Sequence, residues 1–182
     1  AVAAAGGGGD HEDVAWLRAG LHPAIQKQSF VPLFVTSAEN NIGVARLMDF
    51  IAKFGSSPVD RQKVKAINAN DAEVDVVLTN PEPVLYIFKT MSEAKFGELS
   101  FFRVYSGAVR IGSDLYNADK RVTEKIGQIY VLNGEIRTAV ETLNAGDIAA
   151  TVKLKDTHTG NTLCSSKFVV SLPKVQLPKP NI

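Results

Sequence analysis

The sequence predicts a mainly β protein preceded by a short α/β segment, and three observations carry that prediction. From Val64 to Val175 no stretch sustains helical periodicity, and short runs rich in Val, Ile, Phe and Tyr alternate with Gly, Asn, Asp and Ser. Upstream, Val31 to Val35 form a continuous apolar run of the kind a buried strand carries. Val44, Leu47, Met48, Ile51 and Ala52 then recur at i, i+3, i+4, i+7 and i+8, which makes one stripe of an amphipathic helix. Many short strands at regular spacing predict a closed antiparallel sandwich or barrel.

Bulk properties narrow the function classes. With 182 residues, 45% hydrophobic and 21% charged, the chain is long enough for one domain or a small pair with a sizeable core. Twenty Lys and Arg against 19 Asp and Glu leave a net charge of +1, so a nucleic acid or anionic membrane must be met by a local patch and not by a global field. A single cysteine, Cys164, rules out an internal disulfide and a multi-cysteine metal site, and it suits a reducing compartment. Nothing approaches the roughly 18 apolar residues of a membrane span, so no membrane partner is expected and the cytoplasm is the expected location.

Along the chain, residues 1–9, AVAAAGGGG, are low in complexity. Their Gly run lacks the preceding strand and following Lys-Ser/Thr that a phosphate loop needs. Acidic residues at 10–13 and Val14, Leu17 and Leu21 at helical spacing predict a first helix that Pro23 ends or kinks. After the Val31–Val35 strand, with Pro32 near its start, TSAENN turns the chain into the second helix, closed by Gly55 and Pro58. Predicted strands follow at 64–67, 74–78, 84–89, 98–106, 114–117, 123–132, 148–154 and 162–164. In ELSFFRVYSG, Leu99, Phe101, Arg103 and Tyr105 share one face while Phe102 and Val104 take the other, a pattern that predicts a sheet covered on both sides. Gly107 and Gly112 mark turns.

Three stretches, GELSFFRVYSGAVRIGSDLYN, LNAGDIAATVKLKDTHTGNTLC and the closing PKVQLPKPNI, resemble the second, β-barrel domain of bacterial elongation factor G and its paralogues. FVPLFVTSAENNIGVARLMDFIAKFGSSPVD is similar to the end of that family's GTPase domain. The resemblance divides the chain into 1–60, the C-terminal part of a GTP-binding domain, and 61–182, a closed antiparallel β-barrel of the translational-GTPase second-domain type. Ser37 and Ala38 match the family's guanine loop. Lys153 stands where relatives usually carry Gly. The parent protein so implied binds GTP and magnesium and promotes translocation on the ribosome. This chain, lacking the phosphate loop, its magnesium ligand and the Asn-Lys-x-Asp motif, is expected to bind no cofactor and hydrolyse nothing. The implied partners are ribosomal RNA of the small subunit and the parent's remaining domains. Two other readings stay open: a ribosome-protection or peptide-release GTPase, and a free-standing oligonucleotide-binding barrel, which predicts exposed aromatics on the sheet.

Chemistry-bearing side chains are sparse. No catalytic set is predicted, and His11, His22 and His158 are too dispersed to share a metal. NANDAEVD at 68–75 alternates carboxylates and amides like a calcium loop but lacks its central Gly and closing Glu, so it reads as a hairpin turn. Cys164 reads as a small buried hydrophobe. Lys120, Arg121 and Lys125, joined by Lys153 and Lys155, read by themselves as a solvated face, and the resemblance makes them the candidate nucleic-acid contacts. Asp119 and Glu124 interleave with the first three and are expected to cancel part of their charge.

Overall fold

The computed structural model describes residues 11–93 and 97–175, the side chains of 11–18 excepted. The low-complexity start therefore lies outside the described residues, as does most of the closing PKVQLPKPNI. The chain divides into two compact units after Asp60.

The first unit holds α1 (His11–Gln26), α2 (Val44–Phe54) and a 3₁₀ turn (Pro58–Asp60). Helix α1 does not stop at Pro23: the ring removes one backbone donor, but Lys27 N still reaches Pro23 O at 3.0 Å and Ser29 N reaches Ala24 O at 3.0 Å. His22 fastens the helices, its Nδ1 lying 3.1 Å from Phe54 O. Helix α2 forms where the apolar stripe predicts it. The strand expected at Val31–Val35 is absent. Val31, Leu33 and Val35 are 82%, 93% and 94% exposed, and no strand among the described residues of this unit lies alongside to pair with them. An apolar run encodes readiness to be buried, whereas a strand exists only with a hydrogen-bonded neighbour. Phe34 packs on the Phe50 ring, the two centroids 4.8 Å apart.

The described strands of the second unit all pair antiparallel. Its strands are β1 (Lys63–Asn68), β2 (Glu73–Val77), β3 (Val84–Glu93), β4 (Gly97–Ser106), β5 (Ala108–Arg110), β6 (Asp114–Asn117), β7 (Val122–Lys125), β8 (Ile129–Asn133), β9 (Ile136–Val140), β10 (Thr142–Asn144), β11 (Ile148–Val152), β12 (Thr162–Cys164) and β13 (Val170–Ser171). Three sheets result, in the orders β13-β1-β2, β10-β5 and β7-β6-β12-β3-β4-β11-β8-β9. In the centre of the largest, β4 pairs with β3 through Leu85↔Val104 and Ile87↔Phe102 and with β11 through Phe102↔Ala149. That register turns Leu85, Ile87, Phe102, Val104 and Ala149 into one core with Leu115, Ile126, Ile129, Leu143 and Leu163.

The run 123–132, expected as one strand, is two. Gly127 separates β7 from β8 because the chain passes so close to β11 that a Cβ there would sit 2.8 Å from Val152 O. Strands β5, β9, β10 and β13 were not expected from sequence; they are short or polar, and neighbours rather than composition make them strands. The outer face of β4 is covered in part: Leu99 is fully buried, Phe101, Arg103 and Tyr105 are half-buried, and Phe88 beside them is 42% exposed. Among the described residues no helix is long and apolar enough to cross a membrane.

Gly107 and Gly112 both have positive φ, 65° and 81°. Only at Gly107 would a Cβ strike backbone, 2.6 Å from Pro81 O, while Gly112 has nothing within 4 Å. Gly112→Ala is therefore expected to cost about 1 kcal/mol, the backbone term alone, and Gly107→Ala about 3 kcal/mol. Urea unfolding of the two variants measures the difference.

Candidate nucleic-acid interface

The five predicted cations sit on two connections of the second unit: the β6–β7 turn and the start of β7 carry Lys120, Arg121 and Lys125, and the segment after β11 carries Lys153 and Lys155. All five are exposed. None is ion-paired among the described residues, in contrast to Lys63 and Lys65 with Asp75, Lys174 with Asp119, and Arg137 with Glu93. The hydrogen bond from Lys63, then that from Lys65, holds the Asp75 carboxyl below its ordinary value, so those two lysines are committed to the β1–β2 hairpin.

Asn117, fully buried at the end of β6, builds the first connection. Its carbonyl accepts Arg121 N at 2.7 Å and its side-chain oxygen accepts Asp119 N and Lys120 N, both at 3.0 Å. Its Nδ2 donates outward, to Thr157 Oγ1 at 2.9 Å and Asn161 Oδ1 at 3.4 Å in the second connection. One amide thus shapes the turn and ties it to the segment that follows Lys155.

The two interleaved acids do not face the cations from the surface. Asp119 turns inward, accepting Thr162 N at 2.8 Å and pairing with Lys174 Nζ at 3.0 Å. Glu124 is 4% exposed, and its carboxylate accepts Lys155 N at 3.1 and 3.2 Å, Asp156 N at 2.7 Å and Thr157 Oγ1 at 3.0 Å. The expected cancellation of surface charge is therefore weaker than the sequence suggests. Asp114, opposite Lys125 in the β6–β7 register, and Asp156 are the acids left exposed beside the five. Sequence reasoning missed Asn117 and Glu124 as organisers. The signal was available for Glu124, since strand alternation puts it on the face of Leu115, its cross-strand partner, and away from Thr123 and Lys125.

Among the described residues five non-glycine positions have positive φ, and two are Arg121 (60°) and Lys153 (68°). A long side chain in the left-handed region costs about 1 kcal/mol or more, so two of the candidate cations occupy backbone that glycine or asparagine would hold at lower cost.

The other candidates resolve simply. Ser37 and Ile42 form an isolated antiparallel bridge, with N–H···O distances of 3.0 and 2.9 Å in the two directions, and Ser37 Oγ accepts the Asn40 amide at 3.0 Å. Ala38 O accepts Asn41 N at 3.2 Å, whereas the Ala38 N–H has no acceptor among the described residues. The 68–75 segment is a hairpin turn in which Asn68 Oδ1 accepts Asn70 N and Ala72 N at 2.9 and 3.0 Å. Cys164 is fully buried, and burial pushes its thiol up. His158 lies 3.8 Å from Glu98 Oε1, and the His11 side chain is outside the described residues. No group of three His, Cys, Asp or Glu capable of holding a metal occurs among the described residues.

Residues 97–164 match the family model of elongation factor Tu domain 2, so the chain contains the β-barrel domain II of translational GTPases. A crystal structure of a Thermus thermophilus protein is similar at a TM-score of 0.67 and 24% identity, over 91% of this chain and 23% of that one. At that identity the likeness shows the fold alone, and this chain spans less than a quarter of the length of that relative.

Lys153→Gly is expected to stabilise the protein by about 1 kcal/mol by relieving the left-handed lysine. Its thermal melt against the parent sequence measures this; an unchanged or lower melting temperature means the turn is not strained.

Proposed function

We propose that this chain is a piece of an elongation factor G-like, ribosome-dependent translational GTPase acting in the cytoplasm, in which the second unit is a non-catalytic module that docks on small-subunit ribosomal RNA. The observation that carries the reading is the domain 2 match over 97–164 with five cations that have no ion-pair partner among the described residues, on two adjoining connections, three of them, Lys120, Arg121 and Lys125, beside inward-turned acids. The eight-stranded sheet is read as a barrel closed through β5 and β10. Ile111 N reaches Glu141 O at 3.1 Å and Gly112 N reaches Ile126 O at 2.8 Å, bonds that carry the outer strands toward each other.

GTP and magnesium belong to the parent in this reading, and the residues present do not fit them. Ser37 has spent its N–H and carbonyl on Ile42, which leaves the Ala38 N–H as the one backbone donor of the two-residue remnant able to meet a guanine. One hydrogen bond contributes on the order of 1 kcal/mol and holds no nucleotide. The exposed apolar run at 31–35 supports the same reading, because it has the pattern of a sheet strand whose neighbours lie in other parts of the parent.

A free-standing oligonucleotide-binding barrel is the second reading. Phe88 and Phe101 favour it: their rings are 6.3 Å apart, with Lys89 Nζ 5.7 Å from the Phe101 centroid, on the half-open face of the sheet.

Binding of the full chain to purified bacterial small ribosomal subunits at several salt concentrations separates the two. Lys120→Ala with Arg121→Ala is expected to weaken binding about tenfold and reduce the salt slope by about 1.5, with little change in melting temperature. Loss of binding in Phe88→Ala, with the double variant unaffected, contradicts the docking surface proposed here and supports the second reading.

A further inference from the structure

Resting on that docking surface, we infer that Glu124 is the positioning residue that makes two separate basic groups into one surface for a nucleic-acid phosphate backbone. Residues 153–161 belong to no strand, so their backbone donors need acceptors from elsewhere. Glu124 supplies them for the successive N–H groups of Lys155 and Asp156 and for the Thr157 hydroxyl. Successive N–H groups converging on one carboxylate form an anion-binding concavity, and here the anion is the protein's own.

The consequence is positional. Glu124 lies between the cations of the β6–β7 connection, next to Lys125 in sequence, and one hydrogen bond from its carboxylate is the backbone of Lys155. Lys153, two residues back, turns through the left-handed region at φ 68°, so the segment's path is set by a strained turn at one end and the Glu124 tether at the other. Asn117 adds a second tie through Thr157 and Asn161. Glu124 itself contributes no contact to a ligand, being 4% exposed. No Phe, Tyr or Trp occurs in 118–125 or 153–161, so the surface offers charge to phosphates and no ring on which a base can stack.

A glutamine at 124 keeps the volume and an acceptor at the Oε1 position, but it removes the negative charge that strengthens all three bonds, and its NH₂ group stands where Oε2 accepts the Lys155 N–H at 3.2 Å. The tether is weakened without touching any cation. The test is a double-mutant cycle on the full chain, with purified bacterial small ribosomal subunits as the probe and binding measured across a salt series. Lys153→Ala with Lys155→Ala in the parent sequence is expected to weaken binding about tenfold and lower the salt slope by about 1.5. Glu124→Gln alone is expected to give a comparable loss, and adding the two lysine substitutions to it less than a further twofold. Amide exchange at Lys155 and Asp156 is expected to accelerate in Glu124→Gln while Val104 stays protected, which establishes that the variant is folded and the segment released. Thr157→Val, which removes one bond to Glu124 together with the Asn117 tie to Thr157 and leaves the carboxylate in place, serves if Glu124→Gln does not fold, and it too is expected to make the lysine substitutions less costly.

The inference is overturned if the lysine substitutions cost their full tenfold in the Glu124→Gln background. It is also overturned if Glu124→Gln binds like the parent sequence. If the Lys153/Lys155 and Lys120/Arg121 double variants both bind as the parent sequence does, the docking surface itself has failed, and the role of Glu124 falls with it.

Discussion

A buried amide and a buried carboxylate, Asn117 and Glu124, govern how the connections of the second unit are arranged. Hydrophobic burial drives the assembly of the sheet, and the register of β3, β4 and β11 decides which side chains share the core. Neither specifies where segments without strand partners run. Asn117 meets two turn amides with its oxygen and two side chains of the next connection with its nitrogen, and Glu124 meets two amides and a hydroxyl of that same connection. Each bond is worth on the order of 1 kcal/mol net, but an orphaned buried partner costs about 1–3 kcal/mol, so the arrangement holds all together or gives way together.

This constraint explains how a chain with a net charge of +1 presents a cationic surface. The acids interleaved with Lys120, Arg121 and Lys125 are used as internal acceptors, and their charge meets backbone dipoles and Lys174 rather than the candidate cations. Stability is given up locally for this placement, because Arg121 and Lys153 stand in left-handed backbone. Arg121 and Lys153 combine left-handed backbone with side chains that have no ion-pair partner among the described residues.

Much of the fold was legible because periodicity reports burial. Helix α2 was readable from its five apolar positions, and β4 from the alternation of Phe102 and Val104 with Arg103 and Tyr105. What pattern cannot supply is the neighbour. Val31 to Val35 carry the signature of a buried strand and are exposed, while β9, with the mixed sequence IRTAV, is a strand because Ile129, Tyr130 and Val131 of β8 lie opposite Val140, Ala139 and Thr138. The break at Gly127 depends on the approach of Val152 O from 25 residues further along the chain, a distance no local window senses. At the candidate interface the cations were legible as residue types. That the two groups adjoin was not, because the evidence is side-chain-to-backbone bonding across 31 to 44 residues of sequence.

The central claim is that this polar junction belongs to the cooperative core and is not a surface embellishment. Native-state hydrogen exchange of the Asn117 side-chain amide and the Thr162 backbone amide tests it most directly, since their acceptors are the side chains of Thr157, Asn161 and Asp119. Both are expected to exchange only by global unfolding, with opening free energies and denaturant dependence equal to those of Val104 in the centre of the sheet. Exchange through low-energy local opening, independent of denaturant, while Val104 stays protected, would show that the connections are held by something other than the junction and contradict the account.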